Sequence, residues 1–295
     1  MKLTQILDRK ELSLSFEVFP PKANNNFEVI KDATEKIAAL KPSFVSVTYG
    51  AGGGTSEYTL DIAKNIKDKY NVETLAHLTC VSSSRETIKE RIQDFKNSGI
   101  ENIMALRGDI PEDRLNEDRS HWDYKHAIDL IKEIKDNGDF CIGGACYPEV
   151  HPESTSSKED IMHLKEKVDA GCDFLTTQMF FDNDLLYAFL YKIRDAGINV
   201  PIVAGIMPIT NAKQVERAVK LSGSFMPKRF RSLVDRFGDD PEAMKQAGIA
   251  YATDQIIDLY ANNVTNVHLY TMNKPDVAEK IKNNLTQILG KWYTI

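Results

Sequence analysis

Short runs of strand-favouring residues alternate with segments of helical periodicity along the whole chain, and this alternation constrains the fold more than any other feature. The predicted strands lie at residues 14–21, 44–49, 72–80, 102–106, 140–147, 173–181, 200–207 and 267–270. A helical pattern follows each strand, such as Leu60, Ala63, Ile66 and Tyr70 after the second. Strands that alternate with helices in this way lie parallel and are joined by crossover helices.

Eight such units within 295 residues predict an α/β fold, a single-domain (β/α)8 TIM barrel over residues 1–295. An irregular stretch at 222–240 and a helix at 241–262 form an extra insertion before the eighth strand. A doubly wound open sheet is the alternative. Its dinucleotide-binding form requires a G-x-G-x-x-G turn after the first strand, and residues 20–26 lack one.

Composition and charge argue against nucleic acid and membranes as partners. The net charge of −6 gives no overall attraction to nucleic acid or to an anionic membrane. The first ten residues lack the apolar core of a secretory signal, and no apolar run approaches the roughly 20 residues that span a bilayer. Four scattered cysteines form no C-x-x-C pair, so we expect reduced thiols and a cytoplasmic protein.

Polar side chains gather where the predicted strands end. The active sites of such barrels lie at the carboxyl ends of the strands. The strand starts carry blander residues, such as Phe44, Val72 and Pro201. The strand ends instead carry Glu17, Thr48, Tyr49, His77, Arg107, Asp109, Tyr147, Gln178 and Tyr270.

Glu17 is the most unusual of these residues because it lies among apolar and aromatic neighbours in the first strand. Burial raises the pKa of a carboxyl group, and a carboxylic acid that stays protonated near neutral pH can donate a proton. The alternative is an edge strand with Glu17 facing water, which is the usual position of Glu. The convergence of polar strand ends favours a catalytic Glu17.

Three further stretches are candidates for ligand binding. The glycine loop at 50–54 can cradle a phosphate, although it lacks the lysine of a P-loop. Two prolines stiffen the loop at 147–153, which carries Tyr147 and His151. Asp160, His163 and Lys167 share one helix face and can meet a sugar hydroxyl and a diphosphate; the alternative is a solvated face.

A metal site is the remaining possibility at the strand ends. Glu17, His77, Asp109 and His151 carry suitable ligand atoms, but they include no short-spaced ligand pair. We therefore predict no metal site.

Taken together, the motifs resemble the methylenetetrahydrofolate reductase family, in its short bacterial form that consists of the catalytic barrel alone. The resemblance runs in order over nearly the whole chain. The matching stretches are SFEVFPP at 15–21, VSVTYGA at 45–51, AHLTC at 76–80, ALRGD at 105–109, YPEVHPE at 147–153, KVDAG at 167–171, QMFFD at 178–182, GIMP at 205–208 and HLYTMN at 268–273.

The resemblance implies a flavoprotein oxidoreductase of one-carbon metabolism that binds FAD noncovalently. NADH or NADPH reduces the flavin and leaves, and 5,10-methylenetetrahydrofolate then accepts hydride from flavin N5 in a ping-pong reaction. The product, 5-methyltetrahydrofolate, supplies methyl groups for methionine synthesis. We expect a homo-oligomer that binds neither nucleic acid nor membrane. Since the chain ends after one barrel, we also expect no inhibition by adenosylmethionine.

The resemblance also implies residue roles. Glu17 matches the proton donor, and Asp109 matches an acid near flavin N1 and the pterin. Residues that match substrate contacts are Asp109, Gln178, Gln214, Tyr270 and Lys274. Residues that match flavin contacts are Thr48, Tyr49, Ala51, His77, Arg107, Gly108, Asp109, Ala127, Tyr147, His151, Asp160, His163 and Lys167.

Several positions depart from the family pattern. Glu166 replaces a basic flavin contact of some relatives, Lys274 replaces an arginine, and Ala218 lies where an aromatic residue can support the nicotinamide. Two other functions stay open at this point. One is a flavin-free, pterin-binding methyltransferase barrel, and the other is a non-catalytic barrel subunit of an electron-transfer complex.

Overall fold

The computed structural model describes residues 1–21, 27–49, 56–110, 114 and 117–291. Within them, eight parallel strands form a closed barrel in chain order, so the (β/α)8 prediction is confirmed. The strands are β1 (Ser13–Val18), β2 (Val45–Val47), β3 (Thr74–Thr79), β4 (Asn102–Leu106), β5 (Cys141–Cys146), β6 (Phe174–Thr177), β7 (Ile202–Ile206) and β8 (Asn266–Tyr270).

Helices surround the barrel and fill the connections between strands. Those before β5 are α1 (Thr4–Leu7), α2 (Phe27–Ala39), α3 (Ser56–Tyr70), α4 (Arg85–Asn97) and α5 (Ala127–Asn137). Those after β5 are α6 (Ser157–Asp169), α7 (Asn183–Asp195), α8 (Ala212–Ser222), α9 (Lys228–Phe237), α10 (Pro241–Ala261) and α11 (Pro275–Asn284). Among the described residues, no helix is long and apolar enough to cross a membrane.

The alternation of side chains along β1 decides which residues reach the barrel interior. Leu14, Phe16 and Val18 pack in the large core between the barrel and its helices. Successive side chains of a strand point to opposite faces, so Ser15 and Glu17 point inward. Pairing of β1 with both β2 and β8 closes the barrel and places Glu17 beside Ser46 and Tyr270.

An apolar plug closes the amino-terminal end of the barrel. It consists of Leu3, Ile6 and Leu7 from α1 and its flank, packed on interior residues Phe44, Leu75, Met104, Cys141, Phe174 and Val203. Two buried asparagines at strand starts hold it in place. The Asn102 side chain accepts from the Leu3 amide at 2.8 Å, and the Asn266 side chain donates to the Leu7 carbonyl at 2.9 Å.

The prediction of an irregular stretch at 222–240 was wrong over residues 228–237, where the chain forms α9. Phe230, Leu233 and Val234 recur at helical spacing among charged residues and pack in one apolar cluster. The Phe230 ring stacks on Phe181 at 5.2 Å and meets Tyr251 edge-on at 4.7 Å. The helix that the sequence predicts after the fourth strand, from about Trp122 to Asp136, also starts later than expected, at Ala127.

Candidate active site

A cavity of about 1260 Å³ opens at the carboxyl ends of the strands. It brings together most of the side chains that the sequence analysis selected. The predicted site residues that line it are Glu17, Thr48, Tyr49, His77, Arg107, Gly108, Asp109, Ala127, Tyr147, His151, Asp160, His163, Lys167, Gln178 and Tyr270. Ala51 and the glycine loop at 50–54 lie outside the described residues.

Glu17 lies at the inner end of the cavity, near the end of β1. Its side chain is only 18% exposed, and this burial raises the pKa of the carboxyl group to about 8. The Thr271 hydroxyl donates to the Glu17 carbonyl oxygen at 2.5 Å and so fixes the backbone there. Glu17 is therefore a neutral acid at neutral pH, held on a rigid strand.

His77 faces Glu17 from β3, with 3.9 Å between its Nε2 and the Glu17 carboxylate. That separation is too long for a hydrogen bond. Nε2 is buried and has no hydrogen-bond partner among the described residues. Burial lowers the pKa of His77 to about 4, so a neutral imidazole lies beside a neutral acid. Because both groups are uncharged, Glu17 and His77 do not form an ion pair.

His268 is a second interior histidine, for which the sequence predicts no role. Its two ring nitrogens lie 2.7 Å from the Ser15 hydroxyl and 2.9 Å from the Ser46 hydroxyl, so both are satisfied. The ring stacks on Phe44. The two serines on inward-facing strand positions were the signal that could have identified this buried network.

Tyr270 extends from β8 along the cavity wall and donates its hydroxyl to the Thr177 carbonyl on β6 at 2.6 Å. It passes over Gly205 on β7, where an added Cβ would lie 2.5 Å from the Tyr270 hydroxyl. A glycine is therefore required at 205 for this tyrosine to reach Thr177. Burial raises the pKa of Tyr270 well above its usual value, and the phenol stays protonated.

The loop after β4 supplies a cation, a glycine and an acid. Arg107 forms a two-point ion pair with Glu153, at 2.5 and 2.8 Å. Gly108 has φ +88°, and an added Cβ would lie 2.9 Å from Thr79 and Val81. Asp109 follows as an exposed carboxylate at the cavity wall.

The loop after β5 and helix α6 form the adjoining wall. The rings of Tyr147 and His151 meet edge-on at 4.6 Å, and burial lowers the pKa of His151. The Lys167 ammonium donates to the Ala145 carbonyl at 2.8 Å, and burial lowers the pKa of Lys167. Asp160 accepts from Ser154 at 3.3 Å, whereas His163 is exposed.

Gln214 and Lys274 are not among the described residues that line the cavity. They nevertheless lie close to each other, because both bind Thr210. The Gln214 side chain accepts from the Thr210 amide at 3.0 Å, and the Lys274 ammonium donates to the Thr210 hydroxyl at 2.8 Å. Among the described residues, no group of His, Cys, Asp and Glu is arranged to hold a metal ion.

Comparison with known proteins gives one consistent answer. The family model described as methylenetetrahydrofolate reductase matches residues 2–286. The 5,10-methylenetetrahydrofolate reductase of Pectobacterium carotovorum is 38% identical over 93% of this chain and 90% of its own length. The enzyme of the same name from Escherichia coli is 36% identical over 93% of this chain and 91% of its own length.

A longer plant relative and a solved bacterial structure also match the chain. The Arabidopsis thaliana protein named methylenetetrahydrofolate reductase (NADH) 1 is 35% identical over 96% of this chain and half of its own length. A solved structure from Clostridium thermocellum, described as binding two copies of 5-methyl-5,6,7,8-tetrahydrofolic acid, superposes with a TM-score of 0.66 over 96% of this chain and 98% of its own. At 14% identity, that structure supports the fold alone. The matches over nearly the full length identify the chain as an oxidoreductase that belongs to the methylenetetrahydrofolate reductase family.

Proposed function

We propose that this protein reduces 5,10-methylenetetrahydrofolate to 5-methyltetrahydrofolate, with noncovalently bound FAD and with NADH or NADPH as electron donor. The names of the bacterial relatives support the substrate, and the name of the Arabidopsis relative supports a nicotinamide donor. The observation that carries the mechanism is Glu17, an acid of raised pKa at the inner end of the cavity.

The cavity suits a dinucleotide by size and chemistry. Its volume of about 1260 Å³ exceeds the roughly 300–1,000 Å³ of common small-molecule sites. Arg107 and Lys167 offer cations for a diphosphate, and Asp160 offers an acceptor for a sugar hydroxyl. His77 Nε2 and the Thr176 hydroxyl are buried without partners among the described residues.

The residues proposed to hold FAD are those of the cavity wall that match the family's flavin contacts. The chemistry that FAD supplies when bound is hydride transfer from a nicotinamide to the folate. Asp109 places a carboxylate at this wall, where it can accept hydrogen bonds from the pterin. The proposed contacts are Thr48, Tyr49, Ala51, His77, Arg107, Gly108, Asp109, Ala127, Tyr147, His151, Asp160, His163 and Lys167.

Glu17 acts as the general acid. Below about pH 8 its carboxyl group keeps its proton. It donates that proton to N10 of the five-membered folate ring, so that the C–N bond breaks and the ring opens to an electrophilic iminium carbon. The Gln178 amide orients the substrate, and Tyr270 forms the wall beside Glu17. Gln214 and Lys274 bind the folate tail, whose carboxylates suit a lysine.

Nicotinamide and folate use the same cavity in turn, in a ping-pong reaction. Glu17 has no part in the first half-reaction, since hydride transfer from a nicotinamide to a flavin needs no proton at N10 of a folate. The proposal therefore assigns the acid to one half-reaction only. A homo-oligomeric, cytoplasmic protein remains our prediction.

The experiment is a two-step titration of the purified protein with FAD. We expect a yellow protein whose flavin absorbance bleaches with NADH or NADPH under anaerobic conditions. Methylenetetrahydrofolate should then restore the absorbance and appear as 5-methyltetrahydrofolate. A protein that takes up no FAD, or whose reduced flavin is not reoxidised by the folate, would contradict the proposal. Turnover of a folate methyl group by a colourless protein would favour the methyltransferase alternative.

A further inference from the structure

The segment that joins α8 to α9 is tied to the wall of the cavity. Ser222 and Ser224 are buried, and their hydroxyls lie 2.6 Å apart. The Ser224 hydroxyl donates to the Met179 carbonyl at 2.9 Å. Met179 follows β6 and lines the cavity next to Gln178. The segment therefore contacts the loop that carries the proposed substrate-orienting amide.

Glu149, in the loop after β5, makes a second contact with the same segment. The Phe225 amide donates to one carboxylate oxygen of Glu149 at 2.6 Å. The other carboxylate oxygen is buried and has no partner among the described residues. The Phe225 ring is 51% exposed, so the contact is made by the backbone and not by packing of the ring. This link joins the loop after β5 to the segment before α9.

The two anchored loops meet at the cavity. Tyr147, two residues before Glu149, lines the cavity beside Gln178. The Gln178 side-chain oxygen in turn accepts from the Met179 amide at 2.9 Å. Val150 has φ +75°, a conformation that is costly for a β-branched residue and needs support from its surroundings. The Glu149 contact lies beside this strained position.

We infer that Glu149 is a positioning residue: by accepting from the Phe225 amide, it holds the 222–225 segment against Met179 and so fixes Gln178 for the folate. The inference rests on the proposed function for its substrate, but the contact itself does not. Glu149 is not placed in contact with flavin or folate. Pro148 and Pro152 stiffen its own loop. Loss of the Glu149–Phe225 contact should therefore increase the mobility of the 222–225 segment more than that of the loop that carries Tyr147.

The test compares Glu149→Ala, Glu149→Gln and the wild type, with Glu216→Ala as control because Glu216 is an exposed carboxylate on α8. We expect Glu149→Ala to accelerate hydrogen exchange of the Phe225 amide. It should raise KM for methylenetetrahydrofolate about tenfold, with a smaller change in kcat, because misplaced substrate contacts weaken productive binding. FAD affinity, measured by flavin fluorescence, should change less than twofold.

Glu149→Gln keeps an acceptor oxygen and should restore both the protection of the Phe225 amide and the KM. Unchanged exchange in Glu149→Ala, faster exchange with an unchanged KM, or a Gln variant as impaired as the Ala variant would each overturn the inference. If Glu149→Ala does not fold, Ser224→Ala cuts the same link at Met179 and should raise KM alike; an unchanged KM there would overturn it. Wild-type protein without folate turnover would instead refute the proposed function and leave the exchange comparison valid.

Discussion

The two ends of the barrel bury polar side chains in different ways. At the amino-terminal end, Asn102 and Asn266 are buried, and their amides bind the backbone of the α1 region. At the carboxyl-terminal end, Glu17 and His77 are largely buried, yet they face each other at 3.9 Å without a hydrogen bond. Both ends therefore bury polar side chains. An acid and an imidazole that line a cavity without pairing with each other mark the end where a ligand is expected to bind.

This difference has an energetic consequence. A buried group that finds its partner inside the fold stabilises the fold, whereas a buried group without one costs free energy. The side chains of the amino-terminal plug should therefore contribute to stability and have no role in catalysis. The side chains at the carboxyl-terminal end, where the cavity opens, should lower stability and serve catalysis. Substitutions at both ends of the barrel test that division.

Leu3→Ala removes a fully buried side chain from the amino-terminal plug. We expect the free energy of unfolding to fall by about 4 kcal/mol, within the roughly 2–5 kcal/mol seen for buried leucines. Denaturant titration measures this loss. Val29→Ala, at an exposed position of α2, is the control and should change little. A loss of kcat/KM in the folded variant would break the division between the two ends.

Glu17→Gln should stabilise the protein, and more so at high pH. Between pH 4.5 and about 8, folded Glu17 keeps a proton that the unfolded chain has released. The free energy of unfolding of the wild type therefore falls as pH rises through this window. The glutamine variant escapes that loss, which amounts to roughly 4 kcal/mol at pH 8, since the pKa rises from 4.5 to about 8 and one pKa unit is about 1.4 kcal/mol.

Melting curves of both proteins from pH 4 to pH 9 test this expectation. The curves should coincide near pH 4 and separate as the pH rises. A constant difference across the range would mean that the carboxyl group titrates normally, and the open end would then carry no electrostatic cost.

Glu153→Gln should have the smallest effect. The Glu153 side chain is 53% exposed, although it pairs with Arg107 at two points. Exposed ion pairs contribute only about 0–1 kcal/mol, so we expect a loss below about 1 kcal/mol in denaturant titrations. Glu133→Gln offers the contrast, because Glu133 is 6% exposed and accepts from Arg85 at 2.6 Å. Equal losses in the two variants would contradict this ranking by burial.

The barrel could be predicted from the sequence because each strand and helix carries its own local periodicity. Helix α9 was missed because Phe230, Leu233 and Val234 are separated by charges and follow a polar stretch, so the apolar face is short. α1 was missed for a similar reason. It has only four residues, and packing against the barrel interior stabilises it more than its own sequence does.

The candidate site could be predicted in outline, because parallel strands bring their carboxyl ends to one rim. The contacts between side chains on different strands could not be predicted from the sequence. The apolar neighbours of Glu17 in the sequence face the helices, so its burial comes from other strands. The bonds of His268 to Ser15 and Ser46 and the passage of Tyr270 over Gly205 likewise join residues distant in the sequence.

As an acid held neutral at the inner end of the cavity, Glu17 should serve folate reduction alone. Stopped-flow measurement of both half-reactions in Glu17→Gln examines this role. We predict that flavin reduction by NADH or NADPH stays within about threefold of the wild type. Flavin reoxidation by methylenetetrahydrofolate should fall at least about 10²–10⁴-fold, the usual range for the loss of a general acid. Equal losses in both half-reactions would show that Glu17 is structural, and retained folate reduction would show that the proton comes from elsewhere.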